Sequence, residues 1–531
     1  MSGMIKTNHR SMKKRFLSVL LILALLCAAG TAMAEGTEEA GPRPHPEIGT
    51  VALRENGIPV VYLTIDPDEY RQVIESGNHD YQAKGASVRI TIPEGYVCEY
   101  GDFDASFAGR DLSLEYIRGR GHSTWSQEKK PFKIRFAEKV DLFGMGKGTT
   151  WALMANAYDV SLLKNHVVSY LSGAMGFSYT AKFVPVDLVV NGNYMGSYQI
   201  SPFVQVAENS LNITPVKKDA AEGDEITGGY LIAMDPYATE PEANVITTEG
   251  GVRFGIKTPN LSRYGEEMKT ARQAQRDYVR DYLQRVEDAV YGKDGYNGVG
   301  EHYSELMDAE SAAAYWWIQE FTHNGDAFRT PSTYLYKEMG KKLCWGPLWD
   351  FDIALNPIGS YGEFDIKMIW LDYLRQYSPE YRRILRETWD RLDKAVAEVT
   401  RDGGILDQYM GAIRKSWENN RQLWNTTDAD PDKIVGDMKK DLDLHRKAIT
   451  ANIDNELPNV LAPVTFMDGD TVCAVVQAYQ RRGLEDTRFP AAPKKAGFTF
   501  VRWTDRDGKT YEPYTSLAGP VTVYAEYAPA K

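Results

Sequence analysis

Two acidic stretches in the second half of the chain carry the residue types that phosphate and divalent-metal chemistry requires. The first is Asn324-Gly325-Asp326, and the second is Trp349-Asp350-Phe351-Asp352, in which Asp350 follows Asp326 by 24 residues. Mg²⁺ is commonly held by one or two carboxylates together with substrate phosphates, and phosphoryl transfer needs a carboxylate or amide near the attacking hydroxyl. The stretches indicate such a site. The alternative is that Asp326 caps a helix while Asp350 and Asp352 only flank a buried Phe351.

A glycine-rich cationic stretch lies in the first third of the chain. Arg118-Gly119-Arg120-Gly121-His122-Ser123-Thr124 precedes Lys129-Lys130-Pro131-Phe132-Lys133. Glycines beside cations let backbone N–H groups approach an anion closely, and a lysine on the following strand could reach a phosphate. Apolar and cationic residues alternate over 132–136, so Lys133 and Arg135 share one face of a strand. The stretch indicates an anion site, with a plain β-hairpin as the alternative.

Other motifs are incomplete. The stretch Gly144–Gly148 resembles a phosphate-binding loop but lacks its first glycine and the hydroxyl residue after the lysine. Residues 428–432 begin like a calcium loop, but Lys439 stands where the bidentate glutamate belongs. We discount the first as a phosphate-binding loop and interpret the second as a solvated loop.

Hydrophobic periodicity predicts the elements that position these residues, with strands early and helices late. The predicted strands cover 60–65, 86–92, 112–117, 132–136, 184–201 with a turn at 191–193, and two strands within 333–354. The predicted helices cover 161–175, 264–291, 312–321 and 378–455, the last broken at 403–404 and 428–432. This order predicts an α+β body.

Composition and charge place the chain among exported globular proteins. It has 531 residues, of which 43% are hydrophobic and 25% charged, and its net charge of −12 argues against a nucleic-acid partner. Residues 1–34 combine a cationic start, a short apolar run and Ala32-Met33-Ala34, which predicts a cleaved signal peptide. That segment carries five cations and no acid, so its removal lowers the net charge from −12 to −17. No later stretch is apolar enough to span a membrane.

Composition also predicts the domain boundaries. Residues 35–50 are rich in Glu, Pro and Gly and are typical of a linker, 51–458 form the body, and 459–531 form a small β-rich module. Three cysteines remain after cleavage, widely spaced and odd in number, which disfavours a disulfide framework. The histidines never have zinc-ligand spacing.

The body resembles the CotH kinase family, the spore-coat protein H group of atypical kinases. Five motifs occur in the family's order over about 51–458: 118–124, 129–134, Asp159-Val160-Ser161-Leu162-Leu163-Lys164-Asn165, Asn191-Gly192-Asn193-Tyr194-Met195-Gly196-Ser197-Tyr198, and the pair 324–326 and 347–352. The resemblance implies a divergent protein-kinase-like fold that uses ATP and Mg²⁺ and phosphorylates Ser/Thr hydroxyls of a protein.

The resemblance also implies residue roles. Asp326, with Asn324, matches the catalytic position, and Asp350, with Asp352 as an auxiliary, matches the metal-binding position. Lys133 is the expected phosphate-contacting lysine, with Lys130 as its alternate. Arg118, Arg120 and Ser123 complete the expected nucleotide site.

Two departures from the family pattern raise the alternative of a non-catalytic pseudokinase scaffold. Pro202 and Ala233 stand where the family usually has glutamates, and a kinase needs a carboxylate to orient its phosphate-binding lysine. Glu208 or Glu320 are the candidate substitutes. Polysaccharide hydrolysis by paired carboxylates is a weaker third hypothesis.

The last 73 residues resemble the Listeria–Bacteroides (InlB B-type) repeat of bacterial surface proteins. The matching residues are Val464-Thr465-Phe466, 490–493, Gly497-Phe498-Thr499-Phe500-Val501-Arg502-Trp503, 520–524 and Tyr527. We expect the aromatic residues of 497–503 to lie in a core. The resemblance and the signal peptide together predict a secreted or cell-surface protein, with envelope or matrix contact through 459–531.

Overall fold

The computed structural model describes residues 56–530, apart from 78, 238, 327–331, 359, 365, 459–460, 480–482, 485–488 and 514. The predicted signal peptide and linker lie outside the described residues. Across the part of the chain that is described, no helix has both the length and the apolarity needed to cross a membrane.

The N-terminal part of the body contains a closed β-barrel. Its strands follow one another around the barrel in the order β1-β2-β3-β4-β5-β7-β6. They are β1 (Val60–Thr64), β2 (Ser87–Thr91), β3 (Asp111–Gly119), β4 (Phe132–Asp141), β5 (Lys147–Met154), β6 (Val184–Val190) and β7 (Asn193–Pro202). Neighbours pair antiparallel except β1 and β6, which run parallel and close the barrel. Alternating apolar residues fill the interior, as the period of two along a strand requires.

A second sheet follows the barrel in the chain, and one of its faces packs in the same core as the helices. Its order is β12-β11-β8-β10-β9. The strands are β8 (Tyr230–Met234), β9 (Val245–Thr247), β10 (Arg253–Thr258), β11 (Tyr334–Lys337) and β12 (Leu343–Trp345). The strand pair predicted within 333–354 is confirmed as β11 and β12, whereas β8, β9 and β10 were not predicted.

The body also contains helices, two of them between barrel strands and the others later in the chain. They are α1 (Pro67–Glu75), α2 (Lys164–Met175), α3 (Lys269–Tyr291), α4 (Tyr303–Leu306), α5 (Ala309–Phe321), α6 (Leu371–Tyr377), α7 (Pro379–Thr400), α8 (Ile405–Trp424) and α9 (Pro431–Glu456). Short 3₁₀ turns lie at Ala105–Phe107, Ser123–Ser126, Asp224–Ile226, Glu242–Asn244, Leu261–Arg263, Glu266–Met268 and Lys293–Gly295.

The predicted breaks between the late helices are confirmed, and their physical cause is visible. Helices α7 and α9 each begin with a proline in the first turn, after a Ser378 or Asp430 side chain that accepts a hydrogen bond from a backbone N–H of that turn. Helix α8 begins after Gly404. The predicted α2 is three residues too long, because 161–163 form a turn held by Asp159. An α+β class with strands before helices is therefore confirmed.

The last sheet has a core of its own. Its order is β14-β13-β17-β15-β16, with β13 (Leu461–Asp468), β14 (Thr471–Tyr479), β15 (Phe498–Thr504), β16 (Thr510–Tyr511) and β17 (Val521–Pro529). Trp503 is buried in that core and Phe500 packs against it, but the prediction is wrong for Phe498, whose side chain is 44% exposed. Phe498 begins its strand, beyond the reach of the core. Cys98, Cys344 and Cys473 are free thiols.

Candidate functional site

Lys133, Arg120 and Asp350 lie at the contact between the barrel and the second sheet, a contact that we call the cleft. The outer face of β5 packs there against one face of β8 and β11. The apolar residues of this contact include Ala152, Met154, Leu231, Ala233, Tyr334, Tyr336 and Trp349. The chain around Asp350 therefore meets the barrel at the strands next to the cationic stretch.

Lys133 lies on the outer face of the barrel, because its neighbours Phe132 and Ile134 are fully buried inside. It stands opposite Arg118 on β3. Its ammonium lies 4.0 Å from the ring centroid of Phe203. Burial, and then the charges of Arg118 and other cations, lower the pKa of Lys133 to about 7.

Lys133 is surrounded by cations, two of which have acidic partners of their own: Arg118 lies 4.0 Å from Asp80, and Arg135 lies 2.5 Å from Glu115. The cations that act on it are Arg118, Arg135, Arg120 and Arg263. Among the described residues no carboxylate forms an ion pair with Lys133. Crowded cations beside a half-buried lysine favour an anionic ligand, since an anion would offset both the desolvation and the repulsion.

Arg120 connects this cationic group to the acidic stretch. Its guanidinium lies 2.9 Å from the Met154 sulfur and 5.8 Å from the Trp349 ring centroid. Its charge also opposes the rise in the pKa of Asp352. The two predicted halves of the site are therefore brought together at Arg120.

Asp352 is 6% exposed, and its pKa is raised to about 7, first by burial and then by the charges of Asp350 and Asp159. The segment 159–165 holds this acidic turn from behind. The Lys164 ammonium donates to the backbone carbonyl of Asp352 over 3.0 Å, and the Phe351 N–H donates to Asn165 Oδ1 over 3.0 Å. The segment 159–165 therefore helps to position the acidic turn.

The backbone is strained where the acids lie. Asp350 has a φ of +71°, and Leu355 and His323 nearby in the chain have φ values of +51° and +47°. Such left-handed conformations cost free energy for residues other than glycine and concentrate at functional sites. The Ser332 hydroxyl donates to Asp350 Oδ2 over 3.2 Å, which fixes the carboxylate.

Asn324 and Asp326 form the turn after α5. Asn324 is buried, its Nδ2 donates to Gln319 Oε1 over 2.8 Å, and its Oδ1 accepts from the Asp326 N–H over 3.2 Å. The Leu355 N–H donates to the Thr322 carbonyl over 2.8 Å, which joins this turn to the acidic stretch. Residues 327–331, directly after Asp326, lie outside the described residues.

Two residues predicted to bind the nucleotide, Lys130 and Ser123, have different surroundings from those of Lys133. The Lys130 ammonium donates to the Trp125 carbonyl over 2.6 Å and lies over that ring. Ser123 is exposed, and its carbonyl accepts from the Tyr158 hydroxyl over 3.1 Å. Lys133 is therefore better placed than Lys130 for a phosphate.

The candidate substitute carboxylates do not meet Lys133. Glu320 is fully buried and accepts from the Ile366 N–H over 3.1 Å, and Glu208 is exposed, with its backbone beside Gly146. Pro202 ends β7, directly before Phe203. Ala233 faces the cleft from β8.

Sequence reasoning missed Arg263, Phe203 and Met154. Nothing local marks them, because they reach the cleft from distant segments. Trp349 had a signal, since it immediately precedes Asp350.

The donor set fits a magnesium ion. Asp350 and Asp352 supply two carboxylates, and a cation would relieve the repulsion that raises the pKa of Asp352. No group of three or more acidic, histidine or cysteine side chains with metal-binding geometry occurs within the described ranges. Two carboxylates completed by phosphate oxygens is the arrangement typical of Mg²⁺.

Cations and a carboxylate pair that meet at Arg120 define an α+β protein whose charges suit phosphate and metal ligands. The chain belongs to the CotH kinase protein family, whose family model matches residues 117–458. The match begins in β3 and ends directly after α9, so it covers both halves of the cleft. No curated protein matches the chain.

Proposed function

We propose that this protein is an exported kinase-like phosphotransferase, which transfers the γ-phosphate of Mg-ATP to Ser or Thr of a protein substrate such as a spore-coat or cell-surface protein. The observation that carries the proposal is Arg120, which links the cations around Lys133 to the acidic pair Asp350 and Asp352.

The roles follow from charge and position. Lys133, Arg118 and Arg120 hold the phosphates, and Asp326, oriented through Asn324, accepts the proton of the attacking hydroxyl. Asp350 and Asp352 hold the metal. Bound Mg²⁺ supplies neutralisation of phosphate charge.

The test is a Mg-ATP titration of the purified protein, followed by transfer from labelled ATP to itself or to a Ser/Thr-rich substrate. We expect Asp326→Ala and Asp350→Ala each to reduce transfer by about 100-fold or more. Asp428→Ala, in an exposed loop, is the control and should transfer normally. Unchanged labelling in both cleft variants would overturn these roles.

The second candidate is a non-catalytic scaffold that binds an envelope or matrix surface. It is favoured by the missing carboxylate at Lys133 and by exposed apolar side chains in the C-terminal sheet. The apolar residues are Leu461, Val472, Val475, Phe498 and Val501. This candidate predicts no thermal shift with Mg-ATP, together with retention on isolated envelope material.

A further inference from the structure

The second sheet presents its own lysine toward the cleft. Along β10, Phe254 and Ile256 are buried in the helical core, so Gly255 points to the opposite face. Lys257 stands at a β-bulge between Ile256 and Thr258, and its bond to Glu240, whose side chain lies over Gly255, places its ammonium on the same face as Gly255. Gly255 pairs directly with Ala233 of β8, which belongs to the cleft contact. Lys257 therefore lies on the cleft face of this sheet.

Glu240 occupies the space that the small residues Gly255 and Ala233 leave. A Cβ placed on Gly255 would lie 2.5 Å from Glu240 Cγ, so the glutamate side chain rests directly on that backbone. The Lys257 ammonium donates to Glu240 Oε1, and Asn244 Nδ2 donates to Oε2 over 3.4 Å. The side chains of Glu240 and Lys257 are only 16% and 28% exposed. Glu240 and Lys257 therefore form a largely buried ion pair, and Asn244 holds the carboxylate in place.

The same group of residues is linked to the cations around Lys133. Asn244 Nδ2 also donates to Asn260 Oδ1 over 3.1 Å, and Asn244 Oδ1 accepts from the Ser262 N–H over 3.0 Å. These bonds fix the turn that carries Arg263, one of the cations that act on Lys133.

The surroundings of the Tyr334 phenol independently indicate that Glu240 lies near Asp350 and Arg120. This phenol is buried in the cleft contact. That burial raises the pKa of Tyr334, and the charge of Asp350 raises it further. Arg120 and Glu240 also act on this phenol. Glu240 therefore shares the electrostatic surroundings of Asp350 and Arg120.

We propose that Lys257 is a second phosphate-contacting lysine of the cleft and that Glu240 is its positioning residue, an inference that rests on the proposed function. A phosphate-binding lysine in a kinase requires a carboxylate to orient it. Lys133 has no such partner among the described residues, whereas Lys257 has one. The carboxylate that Ala233 cannot supply is supplied by Glu240, across Gly255.

The test compares binding of Mg-ATP and of magnesium tripolyphosphate by titration calorimetry on the full protein. Lys257→Met should weaken both ligands by roughly 10- to 100-fold, because a charge-assisted hydrogen bond to phosphate is lost. Glu240→Gln should weaken both by roughly tenfold. Glu225→Gln is the matched control, since Glu225 pairs with Lys217 at the exposed surface, and it should bind both ligands like the wild type.

A further variant separates positioning from mere stability. Glu240→Ala should lose affinity, and adding Ala233→Glu should restore most of it by returning a carboxylate from the paired strand. Lys257→Arg, which keeps the charge, should bind within about threefold of the wild type.

The outcomes distinguish a failure of the roles of Lys257 and Glu240 from a failure of the proposed function. A wild-type protein that binds neither ligand overturns the proposed function together with this inference. A wild-type protein that binds both, with Lys257→Met and Glu240→Gln binding equally well, overturns this inference and leaves the proposed function standing. Weakened Mg-ATP binding with unchanged tripolyphosphate binding also overturns it, since Lys257 would then not contact phosphate.

Discussion

At the scale of single residues, Lys133 and Asp352 are shifted in opposite directions toward the same pKa of about 7. Burial is the first cause of both pKa shifts, and nearby like charges are the second. Lys133 is surrounded by arginines, whereas Asp352 lies near Asp350 and Asp159. Each group is therefore costly to keep charged without a ligand. Such paired perturbation is typical of a binding site rather than of a structural ion pair.

Lys133→Met should raise the melting temperature in phosphate-free buffer at pH 6, by about 1–3 °C, while weakening Mg-ATP binding. Between pH 7 and 10.5 the unfolded chain binds more protons at this lysine than the folded protein does. The free energy of unfolding therefore rises with pH through this window, and below it the cost of the charged lysine is present in full. Thermal unfolding at pH 6 checks this.

Lys130→Met is the control for that measurement. It removes the hydrogen bond to the Trp125 carbonyl, so it should lower the melting temperature at pH 6. A lower melting temperature for Lys133→Met as well would contradict an uncompensated charge at Lys133.

Asp352→Asn should likewise stabilise the protein in magnesium-free buffer while removing most of the Mg²⁺ dependence of ATP binding. The physical reason is that the substitution removes a buried charge beside Asp350 and Asp159. Asp432→Asn is the control: its carboxylate is 77% exposed and paired with Arg414, so we expect a change within about 0.5 kcal/mol. Chemical denaturation with and without Mg²⁺ decides between these results.

At the scale of elements, helix α9 holds the segment that follows the acidic pair. The Gly362 N–H donates to the buried His445 Nδ1 over 3.1 Å, and Asn452 Nδ2 donates to the Gly362 carbonyl over 3.3 Å. Glu320 of α5 holds the same segment at Ile366. Two helices therefore fix the chain between Asp352 and α6.

His445→Ala should lower the free energy of unfolding by about 2 kcal/mol, because the Gly362 N–H loses its partner. Burial, and then His323, lower the pKa of His445 to about 3. The unfolded chain binds more protons at this histidine between pH 3 and 6.5, so stability falls as pH drops through that window. The variant should lose less stability on acidification than the wild type, as denaturant titrations at pH 7 and 4.5 would show. Lys440→Ala, on an exposed position of α9, should keep the wild-type pH dependence.

At the scale of the whole molecule, the buried residues of the C-terminal sheet form a cluster separate from those of the body. The family match also ends at residue 458, before β13. A protein truncated after residue 458 should therefore bind Mg-ATP within about twofold of the full chain, as measured by calorimetry. Loss of nucleotide binding in a truncated protein that still unfolds cooperatively would show that the sheet contributes to the cleft. The domain boundary at 459 and the surface role of this sheet remain predictions.

The sequence by itself determined what depends on local spacing. Alternation over 132–136 placed Lys133 and Arg135 on one face of a strand, the proline and glycine positions divided the late helices, and the order of five motifs identified the family. These features follow from periodicities of two and 3.6 residues and from capping chemistry, which act within a few residues.

Only the tertiary structure decided which distant groups meet. The closure of the barrel, the approach of Arg263 to Lys133, and the position of Glu240 over Gly255 depend on contacts between segments far apart in the chain. Glutamates at 208, 240 and 320 are alike in sequence, yet one is exposed, one pairs with Lys257 and one holds a backbone N–H. The physical reason is that a carboxylate's role is set by burial and by the donors that surround it, and packing across the sheets supplies both.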